Sequence, residues 1–175
     1  VKNRSNMLED QEIMKIYNKQ PAHVTKHSSC GVIVPGVDTI AVSLANCCRP
    51  IPGDSIIGYI SKGQGVKVHR ADCPNIVNEK KRLIPVQWEE GLDEKQYEVN
   101  LIIHSDDRNY LLSDIVTTLQ QCNVYLKHVD SAVDDGNLEA TTKLTVSVKN
   151  AAHLQNLISN LKKVRSVNEV IRTIQ

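Results

Sequence analysis

Hydrophobic and polar positions alternate most regularly in the second half of the chain. Apolar residues take every second position over residues 97–103, which predicts a half-buried strand. The apolar positions that follow have helical spacing, and they are Leu111, Leu112, Ile115, Val116 and Leu119. They predict an amphipathic helix that ends near Gln121.

A hairpin and a second pair of helix and strand complete this half. Residues 124–133 and 138–148 have strand patterns and flank an Asp-Asp-Gly-Asn turn at 134–137. Residues 151–161 predict a second helix, and residues 167–174 predict a last strand. The helix residues expected to point inward are Leu154, Leu157, Ile158 and Leu161. The order βαββαβ is the ferredoxin-like arrangement.

The first half predicts a small, mostly antiparallel sheet with little core. Residues 39–44 predict a short apolar strand, and two prolines and a glycine make residues 47–54 a loop. Residues 55–61 and 66–69 alternate on either side of a Lys-Gly-Gln-Gly segment, which indicates a hairpin with a glycine turn. Residues 83–88 predict a closing strand.

The segment before this sheet has weaker signals. An imperfect helical stripe over residues 6–19 predicts a connector helix, which Pro21 would stop. Residues 20–38 have no sustained period and predict a linker with one short strand at 32–34. The fold class is therefore α+β. The predicted parts are a connector and linker at 1–38, a first domain at 39–90 and a second domain at 95–175.

The composition indicates a folded, soluble protein. Apolar residues make up 41% and charged residues 23% of the 175 residues, close to an average globular protein. No apolar stretch approaches the roughly 18 residues of a membrane span, and the polar start lacks the apolar core of a signal peptide. We expect a cytoplasmic protein with no membrane partner. Because the chain begins at Val1 and not at Met, we interpret it as a segment of a longer protein.

The cysteines indicate metal ligands or reduced thiols. There are five, an odd number, and Cys47 and Cys48 are adjacent, which is unfavourable for a disulfide framework. With His69 and Cys73 they could form a structural zinc shell, and a domain of roughly 50 residues often needs such a staple. A helical turn would put His69 and Cys73 on one face, whereas the adjacent cysteines need an irregular backbone to reach one metal. Spacing alone leaves zinc and simply buried thiols both open.

A catalytic use of the same residues is disfavoured. A Cys/His pair can act as nucleophile and base, and Arg49 and Arg70 would favour a reactive thiolate. The sequence shows neither an oxyanion-hole motif nor a third group that would orient the base. We therefore predict no catalytic residue in this segment.

Positive charge is concentrated in the first domain, although the net charge of the chain is only +1. Residues 39–86 carry seven Lys/Arg against three Asp/Glu. Composition leaves a phosphate-binding surface and a merely solvated one equally open. Because the chain has no Phe and one Trp, any nucleic-acid contact would read the backbone and shape of structured RNA. The basic residues are Arg49, Lys62, Lys67, Arg70, Lys80, Lys81 and Arg82.

Four runs in the first domain carry a family resemblance. They are LANCCRPIPGD at 44–54, IGYI at 57–60, GQGV at 63–66 and VHRADCPN at 68–75. They resemble the conserved-cysteine zinc-finger domain of long Rel/SpoT alarmone synthetase/hydrolases, and the βαββαβ domain resembles the ACT domain that ends those proteins. The resemblance implies Zn²⁺ as a structural cofactor. Its implied ligands are Cys47, Cys48, His69 and Cys73, with Asp72 as a hydrogen-bond acceptor beside them.

The resemblance also implies a function in the stringent response. The parent protein would be a GTP pyrophosphokinase and (p)ppGpp hydrolase, whose catalytic domains precede this non-enzymatic segment. The segment would bind large-subunit ribosomal RNA and A-site tRNA on the ribosome and control those upstream domains. The candidate phosphate contacts are Arg70, Lys62 and Lys67, which we expect beside the glycine turn, and Arg49.

The ACT domain departs from the family pattern at its possible ligand cleft. Domains that bind amino acids commonly have a DRxGLL-like turn after the first strand, whereas this chain has DRNYLL at 107–112. Tyr110 stands at the glycine position, where its side chain would fill the cleft of Asp107 and Arg108 or simply lie at the helix entrance. The alternative function is therefore an amino-acid sensor of altered specificity, or a dimerisation module that forms a homodimer.

Overall fold

The computed structural model describes residues 29–36, 40–92 and 94–174. The predicted connector helix at 6–19 lies outside the described residues. Contacts divide the described chain into two compact units, the first comprising 29–36, 40–50 and 54–92 and the second 51–53 and 94–174. No helix in the described ranges is long and apolar enough to cross a membrane.

The first unit contains two small sheets. The strands are β1 (Val32–Ile33), β2 (Val42–Leu44), β3 (Ile56–Ser61), β4 (Gly65–Arg70), β5 (Leu83–Ile84) and β6 (Gln87–Trp88). Strand order in the larger sheet is β2-β4-β3-β5, with β2 and β4 parallel and the other pairs antiparallel, and β1 pairs with β6 in the smaller sheet. The predicted hairpin is confirmed as β3 and β4.

The predicted closing strand is two strands rather than one. β5 pairs with β3, whereas β6 pairs with β1 in the other sheet. Pro85 lies between them, and a proline has no backbone N–H to donate to a strand ladder. The chain therefore changes sheets at this residue.

The core of the first unit is small and draws on residues from both sheets. Val32 and Val34 are fully part of it, although the sequence pattern placed them in a linker. Gly58 lets the core close, because a Cβ there would lie 2.8 Å from methyl groups of Val66 and Val86. The buried cluster comprises Val32, Val34, Ile60, Val66, Val68 and Ile84.

The second unit confirms the predicted βαββαβ order and the α+β class. The elements are β7 (Tyr97–Asp106), α1 (Leu111–Gln121), β8 (Tyr125–Asp134), β9 (Glu139–Val148), α2 (Ala151–Lys162) and β10 (Val167–Arg172). The four strands form an antiparallel sheet in the order β10-β7-β9-β8. Alternate residues of β7 are buried, and the four inward residues predicted for the second helix are buried as well.

The buried face of α1 is narrower than predicted. Leu111, Ile115 and Leu119 are buried, but Leu112 and Val116 are each 41% exposed. Thr118 is buried in their place, and its hydroxyl donates to the Asp114 carbonyl at 2.9 Å. A threonine can be buried at this position because its polar group is already satisfied within the helix.

Candidate metal centre

A tight turn after β2 places the two adjacent cysteines, Cys47 and Cys48, beside the larger sheet of the first unit. The Ala45 N–H donates to the Val68 carbonyl at 2.9 Å, and the Arg49 N–H closes the turn on the Ala45 carbonyl at 3.1 Å. Arg49 has a φ of 42°, in the left-handed region. This irregular backbone removes the alternation that would send Cys47 and Cys48 to opposite faces.

His69 comes from a strand and Cys73 from the turn after it. His69 pairs with Ile57 in the hairpin, and its ring meets the Tyr59 ring edge-on at 6.4 Å between centroids. The Cys73 N–H donates to the Arg70 carbonyl at 3.0 Å. No helical turn joins His69 to Cys73, because pairing with β3 keeps β4 extended as far as Arg70, in agreement with the strand predicted at residues 66–69.

The four predicted ligand side chains meet at one point. The His69 Nδ1 lies 3.4 Å from the Cys47 Sγ and 3.8 Å from the Cys48 Sγ, and the Cys47 and Cys73 sulfurs are 3.7 Å apart. All four ligand atoms lie within 4.8 Å of one another. The thiols are free, since a disulfide would need sulfurs about 2.0 Å apart. This group could hold a metal ion.

The electrostatics of the cluster differ from thiol to thiol. Burial raises the pKa of Cys47, but hydrogen bonds from Asn75 and from the two cysteines beside it outweigh burial, so the pKa is lowered. Burial is the largest cause that raises the pKa of the Cys48 thiol, and the charges of Cys47 and Cys73 also raise it. The hydrogen bond from the Arg70 N–H lowers it, and the net result is a pKa of about 12. Cys48 therefore keeps its proton unless a cation stabilises its thiolate.

His69 is held in the form that binds metals. Burial lowers its pKa, and the positive charge of Lys67 lowers it further. A neutral imidazole offers a lone pair to a metal ion, whereas an imidazolium offers none. The ring is therefore in its ligand form at neutral pH.

Two polar groups that support the sulfurs have no signal in the sequence. The Arg70 backbone N–H donates to the Cys48 Sγ at 3.3 Å, and the Asn75 side chain hydrogen-bonds Cys47. The Asp72 carboxylate, in contrast, accepts from the Arg70 guanidinium at 3.1 Å. That Asp72 accepts a hydrogen bond from a metal ligand stays a prediction.

The predicted phosphate-binding residues do not form one cluster. Lys62 lies in the hairpin turn, but Arg70 pairs with Ile56 at the opposite end of β4, so the prediction that Arg70 lies beside the glycine turn is wrong. Lys67 lies between them, on the same face of β4 as His69. Arg49 directly follows Cys48 at the metal end of the strand.

The DRNYLL segment serves the internal structure of the second unit. Tyr110 immediately precedes α1 with a φ of 64° and is 81% exposed, so its ring lies at the helix entrance and fills no interior cleft. The Arg108 guanidinium donates to the Arg165 carbonyl, to the Ser166 hydroxyl and, at 2.6 Å, to the Asp114 carboxylate. The Asp107 N–H donates to the Leu138 carbonyl at 2.8 Å.

Comparison with known proteins gives two adjacent family matches. Residues 32–89 match the RelA/SpoT RIS domain, and residues 93–172 match the ACT domain. A crystal structure of the ACT domain from GTP pyrophosphokinase of Chlorobium tepidum is 24% identical, with a TM-score of 0.40, and covers 45% of this chain and 99% of that one.

Two full-length relatives show similar sequence. A GTP pyrophosphokinase of Haemophilus influenzae is 34% identical over 172 residues, which cover 93% of this chain and 23% of that protein. A bifunctional (p)ppGpp synthase/hydrolase RelA of Mycobacterium tuberculosis is 33% identical over 145 residues, which cover 81% of this chain and 19% of that protein. The chain thus spans about a fifth of the length of the curated relatives it matches, and the matched part is their regulatory region, without the catalytic domains. The chain belongs to the RelA/SpoT family, of whose C-terminal regulatory region it carries the RIS and ACT domains.

Proposed function

We propose that this segment places a (p)ppGpp synthetase/hydrolase on the ribosome and controls its upstream catalytic domains during the stringent response. Its partners would be large-subunit ribosomal RNA and A-site tRNA in the cytoplasm. The observation that carries the proposal is the small sheet of the first unit. One end of this sheet lies at the Cys47, Cys48, His69 and Cys73 group, called here the metal-type cluster, and its surface carries Lys62 and Lys67. A rigid, basic surface of this kind suits the phosphate backbone of a folded RNA.

We propose that the metal ion is structural zinc. Tetrahedral zinc has Zn–S bonds of about 2.3 Å and Zn–N bonds of about 2.0–2.1 Å, which put ligand sulfurs about 3.8 Å and sulfur and nitrogen about 3.5 Å apart. Three of the six separations among the ligand atoms agree with that geometry: 3.7 Å between the Cys47 and Cys73 sulfurs, and 3.4 and 3.8 Å from the His69 Nδ1 to the Cys47 and Cys48 sulfurs. The other three are within 4.8 Å. Four protein ligands leave no open position, which is typical of a structural site.

The aromatic residues of the first unit support contact with backbone rather than bases. In the described part of that unit, the aromatic side chains are Tyr59 and Trp88. Tyr59 packs against His69, and the Trp88 indole N–H donates to the Asp54 carbonyl at 3.0 Å. Neither ring is placed as an open stacking platform, so phosphates are the chemical feature that this unit would recognise.

Binding to purified large ribosomal subunits tests the proposal, with small subunits as the control. We expect binding to the large subunit to weaken at least tenfold between about 50 and 200 mM salt, because each phosphate contact releases a counterion. Uncharged tRNA in the A site is expected to strengthen it. Absent or salt-independent binding contradicts the proposal.

A second candidate function, self-association, is favoured by the outer edge of the ACT sheet. Among the described strands β8 pairs with β9 alone, so its other edge has unpaired backbone groups. Val129 and Val133 are exposed on this strand. Lys127 lies toward its start and Asp130 and Asp134 toward its end, so an antiparallel second copy would bring opposite charges together.

Sedimentation velocity tests self-association along β8. If two copies pair there, Val129→Lys shifts the protein toward monomer, whereas Val77→Lys, an equally drastic change at an exposed valine of the first unit, does not. A wild-type monomer at all concentrations excludes this function. A melting temperature raised by branched-chain amino acids would instead favour the amino-acid sensor.

A further inference from the structure

Backbone pairing brings a second group of basic residues to the turn end of the first sheet. Ser61 pairs with Gly65, so the turn that contains Lys62 closes this end of the hairpin. On the other side of β3, the Ile60 N–H donates to the Arg82 carbonyl at 2.9 Å. The chain thus reaches β5 through Lys80 and Lys81 at the end of the sheet where Lys62 lies, although Lys80 comes 18 positions after Lys62 in the sequence.

This end of the sheet is distant from the metal-type cluster. β4 runs from Gly65 at the turn to Arg70 at the cluster, and a strand of that length spans about 16 Å. Arg70 is already paired with Asp72 at 3.1 Å. The positive charge at the cluster end is therefore partly neutralised within the unit.

The lysines at the turn end are available to an outside partner. Lys62, Lys80 and Lys81 are exposed, and within the described part of the chain none of them forms an ion pair. A Cβ added at Gly63 would meet nothing within 4 Å, so the turn extends into open space. Three exposed ammonium groups on two adjoining segments attract a dense array of negative charge more strongly than a single anion.

We propose that Lys62, Lys80 and Lys81, the turn-end lysines, bind the phosphate backbone of double-stranded RNA. This inference rests on the proposed function and locates its main RNA contact away from Arg70 and Arg49. Double-stranded RNA presents closely spaced phosphates without requiring base contacts, which matches a surface of lysines with no free aromatic ring. Lysine, a flexible point charge, suits phosphates read for charge rather than for one fixed geometry.

Salt-dependent binding of the 175-residue chain to a 20-base-pair RNA duplex of mixed sequence tests this inference. The test variant is Lys62→Gln/Lys80→Gln/Lys81→Gln. The matched control is Lys143→Gln/Lys149→Gln/Lys163→Gln, which removes the same charge from exposed lysines of the second unit. Zinc content and melting temperature of both variants are measured first, because neither is expected to change.

We expect the test variant to lower the slope of log affinity against log salt by about two to three, since each lost phosphate contact removes about 0.7–0.9. The control variant is expected to keep the wild-type slope. A test variant with the wild-type slope and affinity overturns the inference but leaves the proposed function standing. Equal losses in both variants overturn it too, because net charge would then explain them.

Two further outcomes distinguish a failure of this inference from a failure of the proposed function. Wild-type protein that binds neither the duplex nor large ribosomal subunits overturns both the inference and the proposed function. If the test variant loses binding to large subunits while wild type never binds the naked duplex, the partner of the turn-end lysines is an acidic protein surface, and the RNA assignment is wrong.

Discussion

Two glycines at the hairpin turn share a left-handed backbone but differ in their surroundings. Gly63 has a φ of 68° and open space around it, whereas Gly65 has a φ of 79° and lies against the Ala41 carbonyl. That carbonyl accepts a hydrogen bond from the Val66 N–H at 2.8 Å, and Ala41 immediately precedes β2. Gly65 thus permits a close approach of two backbones as well as a turn.

Substitution of these glycines should separate the two effects. Gly63→Ala is expected to lower the free energy of unfolding by about 1 kcal/mol, the cost of a left-handed alanine. Gly65→Ala is expected to lower it by about 3 kcal/mol or more, because its Cβ would also clash with the Ala41 carbonyl. Urea denaturation measures both, and equal costs would show that the close approach is unimportant.

The buried sulfur of Cys48 gives a second prediction at this scale. We expect the wild-type protein to contain nearly one zinc ion per chain and the Cys48→Ser variant to lose it. The variant should also lower the free energy of unfolding of the first unit by at least about 3 kcal/mol, because metal-binding energy contributes to folding. Cys122→Ser is the matched control, since Cys122 is partly buried but lies in α1's C-cap, outside the ligand group. Elemental analysis and thermal unfolding report the outcome. If the Cys48 variant still contained a full equivalent of zinc, Cys48 would not be a ligand and the proposed zinc site would be wrong.

At the scale of elements, a single arginine connects the loop before α1 to the connection between α2 and β10. The Arg108 side chain is 16% exposed and donates to Arg165, Ser166 and Asp114. Hydrogen bonds of a mostly buried charge are among the stronger ones in proteins. The element order of this unit could be predicted from the hydrophobic periodicity of the sequence, but the hydrogen bonds of Arg108 could not.

Arg108→Ala is expected to lower the stability of the second unit by about 1–3 kcal/mol, because several acceptors lose a charged donor. Arg165→Ala should change it by less than about 0.5 kcal/mol, since Arg165 contributes its backbone carbonyl and its side chain is exposed. Denaturant unfolding of the two variants distinguishes them. If the Arg108→Ala variant were as stable as the wild-type protein, the backbone hydrogen bonds alone would hold the loop.

At the scale of the whole molecule, the two units differ in what stabilises each. The first has a small buried cluster and a metal-type site, whereas the second has two helices packed on a four-stranded sheet. Small cores commonly depend on a metal, and larger ones do not.

Metal removal should therefore affect the units unequally. After treatment with a strong chelator, hydrogen exchange is expected to show lost protection across residues 40–50 and 54–92 and retained protection across residues 97–172. Mass spectrometry of peptides from each range measures this. Unchanged protection in the first range would show that its core folds without metal, and loss in both ranges would show that the second unit depends on it as well.

The sequence by itself determined the element order of the second unit and the four residues of the candidate metal centre. Alternating and helical periods result from burial of one face, so the inward residues of α2 could be predicted from local pattern. The four candidate ligands could be named because thiols and imidazoles are uncommon enough for their spacing to carry a family resemblance.

Only the tertiary structure decided which segments pair across long distances. Val32 enters the core because β1 pairs with β6, Pro85 divides a strand between two sheets, and Lys80 reaches the turn of Lys62 through β5. It also placed Arg70 at the far end of β4 from that turn. Such contacts depend on register between strands remote in sequence, and a period of two reports which face a residue takes but not which strand it meets.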